Sequence, residues 1–127
     1  MTSTVPTTLG RLTLLKELFI YLNELTGSLP RVLAKLDKLQ YLDASSNRLS
    51  GSIFSDIGRM SSLVALSLFG NQFASSLPGE LGALEKLEYL YFNNNAVTGA
   101  IPTALSKLTN LEKLILYDNK LSGCQTT

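Results

Sequence analysis

Histidine and tryptophan are absent from this chain, and cysteine occurs once, as Cys124. Without histidine there is no Ser-His-Asp triad, no Cys-His pair and no histidine-ligated metal. One cysteine builds neither an internal disulfide nor a multi-cysteine metal site. There is no Walker loop and no G-x-G-x-x-G, and the acidic residues are scattered, with no pair at a glycosidase separation. These absences predict a non-catalytic chain that needs no cofactor. Charge of one sign is also lacking: 11 basic and 10 acidic residues leave a net +1, so no long-range field draws nucleic acid or an anionic membrane as partner. The longest apolar runs are short, such as Leu18 to Leu22, which excludes direct membrane insertion through a helix. Met1 to Pro6 lacks the basic and apolar regions of a signal peptide, and no Asn-x-Ser/Thr sequon occurs. Such a chain is expected in the cytoplasm, or as a piece of a secreted protein.

What is present is a clock. Asn23, Asn47, Asn71, Asn95 and Asn119 stand 24 residues apart with no insertion between them. All four prolines share one register, at 6, 30, 78 and 102, with Phe54 at the same place in the remaining repeat. Gly27, Gly51, Gly99 and Gly123 share another, where Ser75 is the exception. Leucines 18, 42, 66, 90 and 114 share a third. The departures, Phe54, Ser75 and Ala44 in place of a large apolar residue, are expected to loosen single repeats. The copy from Leu87 to Pro102 reads LxxLxFxxNxVxGxIP. Residues 1–127 are read as one domain, with a partial repeat at 1–14, repeats at 15–38, 39–62, 63–86 and 87–110, and a truncated one at 111–127.

Within a repeat, period-2 apolar residues at the centre of LxxLxL predict a short strand. The asparagine follows where the chain must turn, and its amide can serve backbone groups of its own coil and the next as a structural ladder. The Pro-x-x-Leu-x-x-Leu portion suits a short 3₁₀ or α turn opened by proline. No repeat buries its leucines alone, so stacking supplies the core.

The unit resembles the leucine-rich repeat, in the plant-type 24-residue form LxxLxxLxLxxNxLxGxIPxxLxxL, from Val5 to Gly123. The resemblance implies an α/β fold: a right-handed solenoid with a concave parallel sheet, short 3₁₀ or α turns on the convex side and a short second strand near Thr-Gly-x-Ile/Leu-Pro. Similar members include receptor-kinase ectodomains and polygalacturonase-inhibitor proteins, which implies an extracellular setting for a fragment. Those carry cysteine-paired caps, and this chain has none. It is therefore expected to be a piece of a longer solenoid, or to pack an end against another subunit.

Side chains between the strand leucines face out of the concave sheet, because successive residues alternate across a strand. All five tyrosines and two of the five phenylalanines fall there. The candidate ligand-binding residues are Phe19, Tyr21, Tyr41, Asp43, Phe69, Tyr89, Tyr91, Asn93 and Tyr117, with Asn93, Asn94 and Asp118 as polar contacts at the rim. Exposed aromatics are the usual anchors of interfaces, though strand propensity and cross-strand stacking also place them on sheets. The expected function is recognition of a protein or peptide ligand on this face. The alternative is a scaffold that self-associates through uncapped ends. Carbohydrate or ice-surface binding ranks third, since regular threonine ranks are missing.

Overall fold

The computed structural model describes residues 3–122; the register glycine Gly123 and the lone Cys124 lie outside the described residues. Five three-residue strands, Glu17–Phe19, Tyr41–Asp43, Ala65–Ser67, Tyr89–Tyr91 and Lys113–Ile115, lie side by side in chain order as one parallel sheet. Their register steps by 24 residues without a slip, so Leu18, Leu42, Leu66, Leu90 and Leu114 form one row. That row points inward; Leu42, Leu66 and Leu90 are sealed from solvent. The flanking residues point outward, and a one-residue slip would exchange the two sets.

Each coil closes through a five-residue 3₁₀ helix: Thr7–Arg11, Arg31–Lys35, Ser55–Arg59, Gly79–Ala83 and Thr103–Lys107. Proline stands immediately before four of them, with φ between −60° and −73°. Phe54 takes the same conformation, φ −69° and ψ 143°, before a helix of the same length. The absence of proline there leaves the geometry of the turn unchanged. The turn needs φ near −65°, which proline presets but any L-residue can reach.

The coils also touch beyond the sheet. Short parallel pairs join Ser3–Thr4 to Leu25–Thr26, Ser50–Gly51 to Gln72–Phe73, and Thr98–Gly99 to Lys120–Leu121. Two repeat positions need a left-handed backbone. Four residues after the asparagine come Gly27, Gly51 and Gly99 at φ 77° to 81°, and Ser75 at 62°. Immediately before it come Leu22, Ser46, Gly70, Asn94 and Asp118, with φ between 56° and 69°.

The asparagines sit inside this turn. The Asn71 amide donates to the carbonyls of Leu68 (3.2 Å) and Phe69 (3.3 Å) in its own coil and of Ala44 (3.0 Å) in the preceding one, while its oxygen accepts from the amide of Leu49 (3.0 Å). Asn47, Asn95 and Asn119 repeat the pattern with Leu25, Phe73 and Val97 as backbone donors. Asn23 is exposed and donates only to Ile20 and Tyr21 of its own coil. The oxygen of each stacked asparagine thus satisfies a turn amide of the preceding coil, and its amide adds a donor to carbonyls of both coils.

The core is one continuous apolar cluster running through the stack. Phe73 and Phe92 meet edge-on within it, their ring centroids 6.4 Å apart, a favoured arrangement for aromatic pairs.

A candidate binding face on the concave sheet

Three outward rows cross the sheet. The register sets the first as Glu17, Tyr41, Ala65, Tyr89, Lys113 and the second as Phe19, Asp43, Ser67, Tyr91, Ile115. The repeat adds a third: Tyr21, Ser45, Phe69, Asn93, Tyr117. Tyr117 (64%), Phe19 (55%) and Tyr21 (47%) are the most exposed of the aromatics, and Tyr41 is also exposed. Phe69, Tyr89 and Tyr91 are half-buried. The Tyr89 and Tyr91 rings lie 6.3 Å apart at 34°, so they act as one apolar surface.

Asn93 belongs to the third outward row but is covered by its surroundings: it is only 8% exposed, and its amide donates to the side-chain oxygen of Asn94 at 2.8 Å. Asn94 in turn donates to Asp118 at 3.0 Å. Asn94 and Asp118, both exposed, form the rim.

The middle of the face is depressed. Ala65 and Ser67 are small, while Tyr41 and Tyr91 in adjacent coils are large, and Phe19 and Phe69 complete the walls of a notch of about 210 Å³. Asp43 is half-buried at its edge. Its Oδ1 accepts from the Ser45 amide (3.0 Å) and the Ser45 hydroxyl (2.6 Å). The Ser67 hydroxyl, buried in the floor, has no hydrogen-bond partner. Sequence periodicity places Ala65 and Ser67 on this face without marking either. The usable signal is small residues in one coil between aromatics in its neighbours.

Two carboxylates act on the aromatic pair of the fourth coil. The Glu112 carboxylate, then partial desolvation, then the Glu88 carboxylate raise the Tyr89 hydroxyl above its ordinary pKa, since each disfavours the phenolate. Among the described residues no cluster of acidic or sulfur side chains could hold a metal, and no helix is long and apolar enough to cross a membrane.

Comparison with known proteins adds to this geometry. The family described as Leucine Rich repeats (2 copies) matches residues 85–125, and Leucine Rich Repeat matches residues 38–60. No curated protein matches. The fold superposes on the ectodomain of the plant membrane receptor kinase GASSHO1/SCHENGEN3 from Arabidopsis thaliana, solved with CASPARIAN STRIP INTEGRITY FACTOR 2. There the TM-score is 0.93 and the identity 38% over 94% of this chain and 14% of that one. The Arabidopsis receptor kinase HAESA, in complex with the peptide hormone IDA and the co-receptor SERK1, gives 0.90 and 32% over 94% and 20%. A plant ice-binding protein gives 0.89 and 30% over 94% and 39%. The chain thus spans only a seventh to two-fifths of the length of these structures.

Proposed function

This chain belongs to the leucine-rich-repeat proteins, in their plant-type form, and from that membership we propose a non-catalytic module that binds a peptide or an extended protein segment on its concave sheet. One observation carries the reading: aromatic rings from every coil gather on one solvent-facing side, around a notch whose floor holds an unpartnered hydroxyl. Aromatic side chains cover large area at small entropic cost, which suits anchors. An extended ligand laid across parallel strands would meet one ring per coil. Complexes of similar receptor ectodomains with peptide hormones support the same use. Their setting makes a segment of an extracellular receptor-like protein the natural context, with enzyme inhibition a second role within this class.

The test is the double substitution Tyr89→Ala/Tyr91→Ala. Partner peptides selected on the native chain should lose about 2–4 kcal/mol of affinity, the range of interface hot spots, while the melting temperature stays within a few degrees. Unchanged capture by the double variant would remove the concave face from the reading.

Self-association is favoured by a separate observation. Leu14 and Leu22, each 75% exposed, occupy repeat positions that hold Lys38, Ser62, Lys86 and Asn110, and Ser46, Gly70, Asn94 and Asp118, in the other coils. A sedimentation coefficient that rises with concentration is the signature of this second reading.

A further inference from the structure

We infer that the notch over Asp43 and Ser67 receives a basic side chain, arginine or lysine, of a bound peptide. The inference rests on the concave-face reading and adds which group the ligand must carry there.

The second outward row runs Phe19, Asp43, Ser67, Tyr91 across four adjacent strands. Two aromatic residues therefore flank a carboxylate and a hydroxyl, with strands about 4.8 Å apart. Tyr41 and Phe69 complete an apolar rim, and no lysine or arginine lines the space. Asp43 has no ion-pair partner among the described residues. Its Oδ1 is held by Ser45, which leaves Oδ2 free to accept. The Ser67 hydroxyl beside it is sealed beneath the surface and brings no charge of its own to the notch.

The occupant that answers these features has an apolar stem for the rings, a cation for their faces and the carboxylate, and an N–H group for the free Asp43 oxygen. Ring faces attract cations, more strongly where water is excluded. A guanidinium offers five donors in a plane and stacks on aromatic rings; an ammonium offers three donors. A purely aliphatic side chain would fill the volume but leave Asp43 unserved. An acidic one would meet Asp43 as a like charge.

The experiment screens a library of capped random nonapeptides on the whole chain and on two variants. Asp43→Asn keeps an oxygen for Ser45 but removes the charge; Ser67→Ala removes the hydroxyl. The native chain should hold peptides enriched at least fivefold in arginine or lysine at one position. Replacing that residue by citrulline or norleucine should weaken binding tenfold or more on the native chain and less than twofold on Asp43→Asn. Ser67→Ala, which removes a sealed hydroxyl, should leave affinity for the basic peptide within twofold, and thermal melting should show both variants folded. Bound peptides that need Tyr89 and Tyr91 but show no basic preference would overturn this inference and leave the concave-face reading standing. Equal loss with citrulline on the native chain and on Asp43→Asn would do the same. Retention of no peptide at all would overturn both.

Discussion

The second to fourth coils and the first coil are built from the same 24-residue pattern, yet they hold together differently. In the inner coils Leu42, Leu66 and Leu90 are at most 1% exposed, and Asn47 and Asn71 bond to the preceding coil as well as to their own. In the first coil Leu18 is 9% exposed, Leu22 lies open, as does Leu14 just before it, and Asn23 donates only within its own turn among the described residues. The same residue at the same repeat position therefore carries different energy according to what stacks on it. That is the behaviour of a one-dimensional stack, whose stability is a sum over coils and the interfaces between them.

The asparagines test this contrast most severely. Asn71→Ala strands the Leu49 amide and removes one of the donors to the Ala44, Leu68 and Phe69 carbonyls, which keep Asn47, Asn95 and the Ser46 amide. An unsatisfied buried group costs about 1–3 kcal/mol, so a loss of about 2–3 kcal/mol is expected in urea unfolding. Asn23→Ala removes two exposed bonds and should cost under about 1 kcal/mol. Equal losses at both sites would mean the ladder acts within each coil and not between coils.

Glycine on the convex side gives the next contrast. Gly10, Gly58 and Gly82 share one repeat position, which Ala34 and Ser106 fill in the other coils. A Cβ at Gly82 would lie 2.5 Å from the Ala104 carbonyl oxygen and 2.9 Å from its Cβ. At Gly10 the nearest atoms would be the Val32 Cβ at 3.0 Å and its carbonyl oxygen at 3.1 Å. Gly82→Ala should therefore force the fourth and fifth helices apart and cost about 2 kcal/mol, within the range for overpacking. Gly10→Ala should cost about half of that, because the helix Thr7–Arg11 is the first described and packs against a neighbouring helix on one side only. Thermal melts of the two variants, with Gly79→Ala as a control whose Cβ meets nothing within 4 Å, separate the cases.

Strand register, helix position and the inward row of leucines were legible in the sequence because the repeat states each of them five times. The burial of Asn93 was not. Alternation predicts which side of the sheet a residue faces, not what its neighbours cover, and the Asn93 side chain is tied to Asn94. The tolerance of Phe54 was hidden for a related reason: the pattern shows which residue is usual, not which backbone angle is required. The notch escaped as well, since it arises from what Ala65 and Ser67 lack beside Tyr41 and Tyr91. It becomes visible only when coils are laid side by side in register.

The smallest effect should come from Leu22. It is left-handed at φ 57° and 75% exposed, whereas Ser46, Gly70, Asn94 and Asp118 hold the same conformation in the other coils. Left-handed backbone is costly for a residue with a bulky side chain, and asparagine tolerates it better through local hydrogen bonding. Leu22→Asn should therefore raise stability by about 0.5–1 kcal/mol, a few degrees in melting temperature. The leucine loses no core contact by this change, so a drop in stability would show that it is packed against something. Combined with Leu14→Lys, the substitution also removes the apolar residues peculiar to the first coil. If those residues draw chains together, the native protein should sediment faster as its concentration rises, and the double variant should not. A native chain that stays monomeric over the same range would leave the first coil's leucines as strain the stack tolerates, and would remove self-association as a use for them.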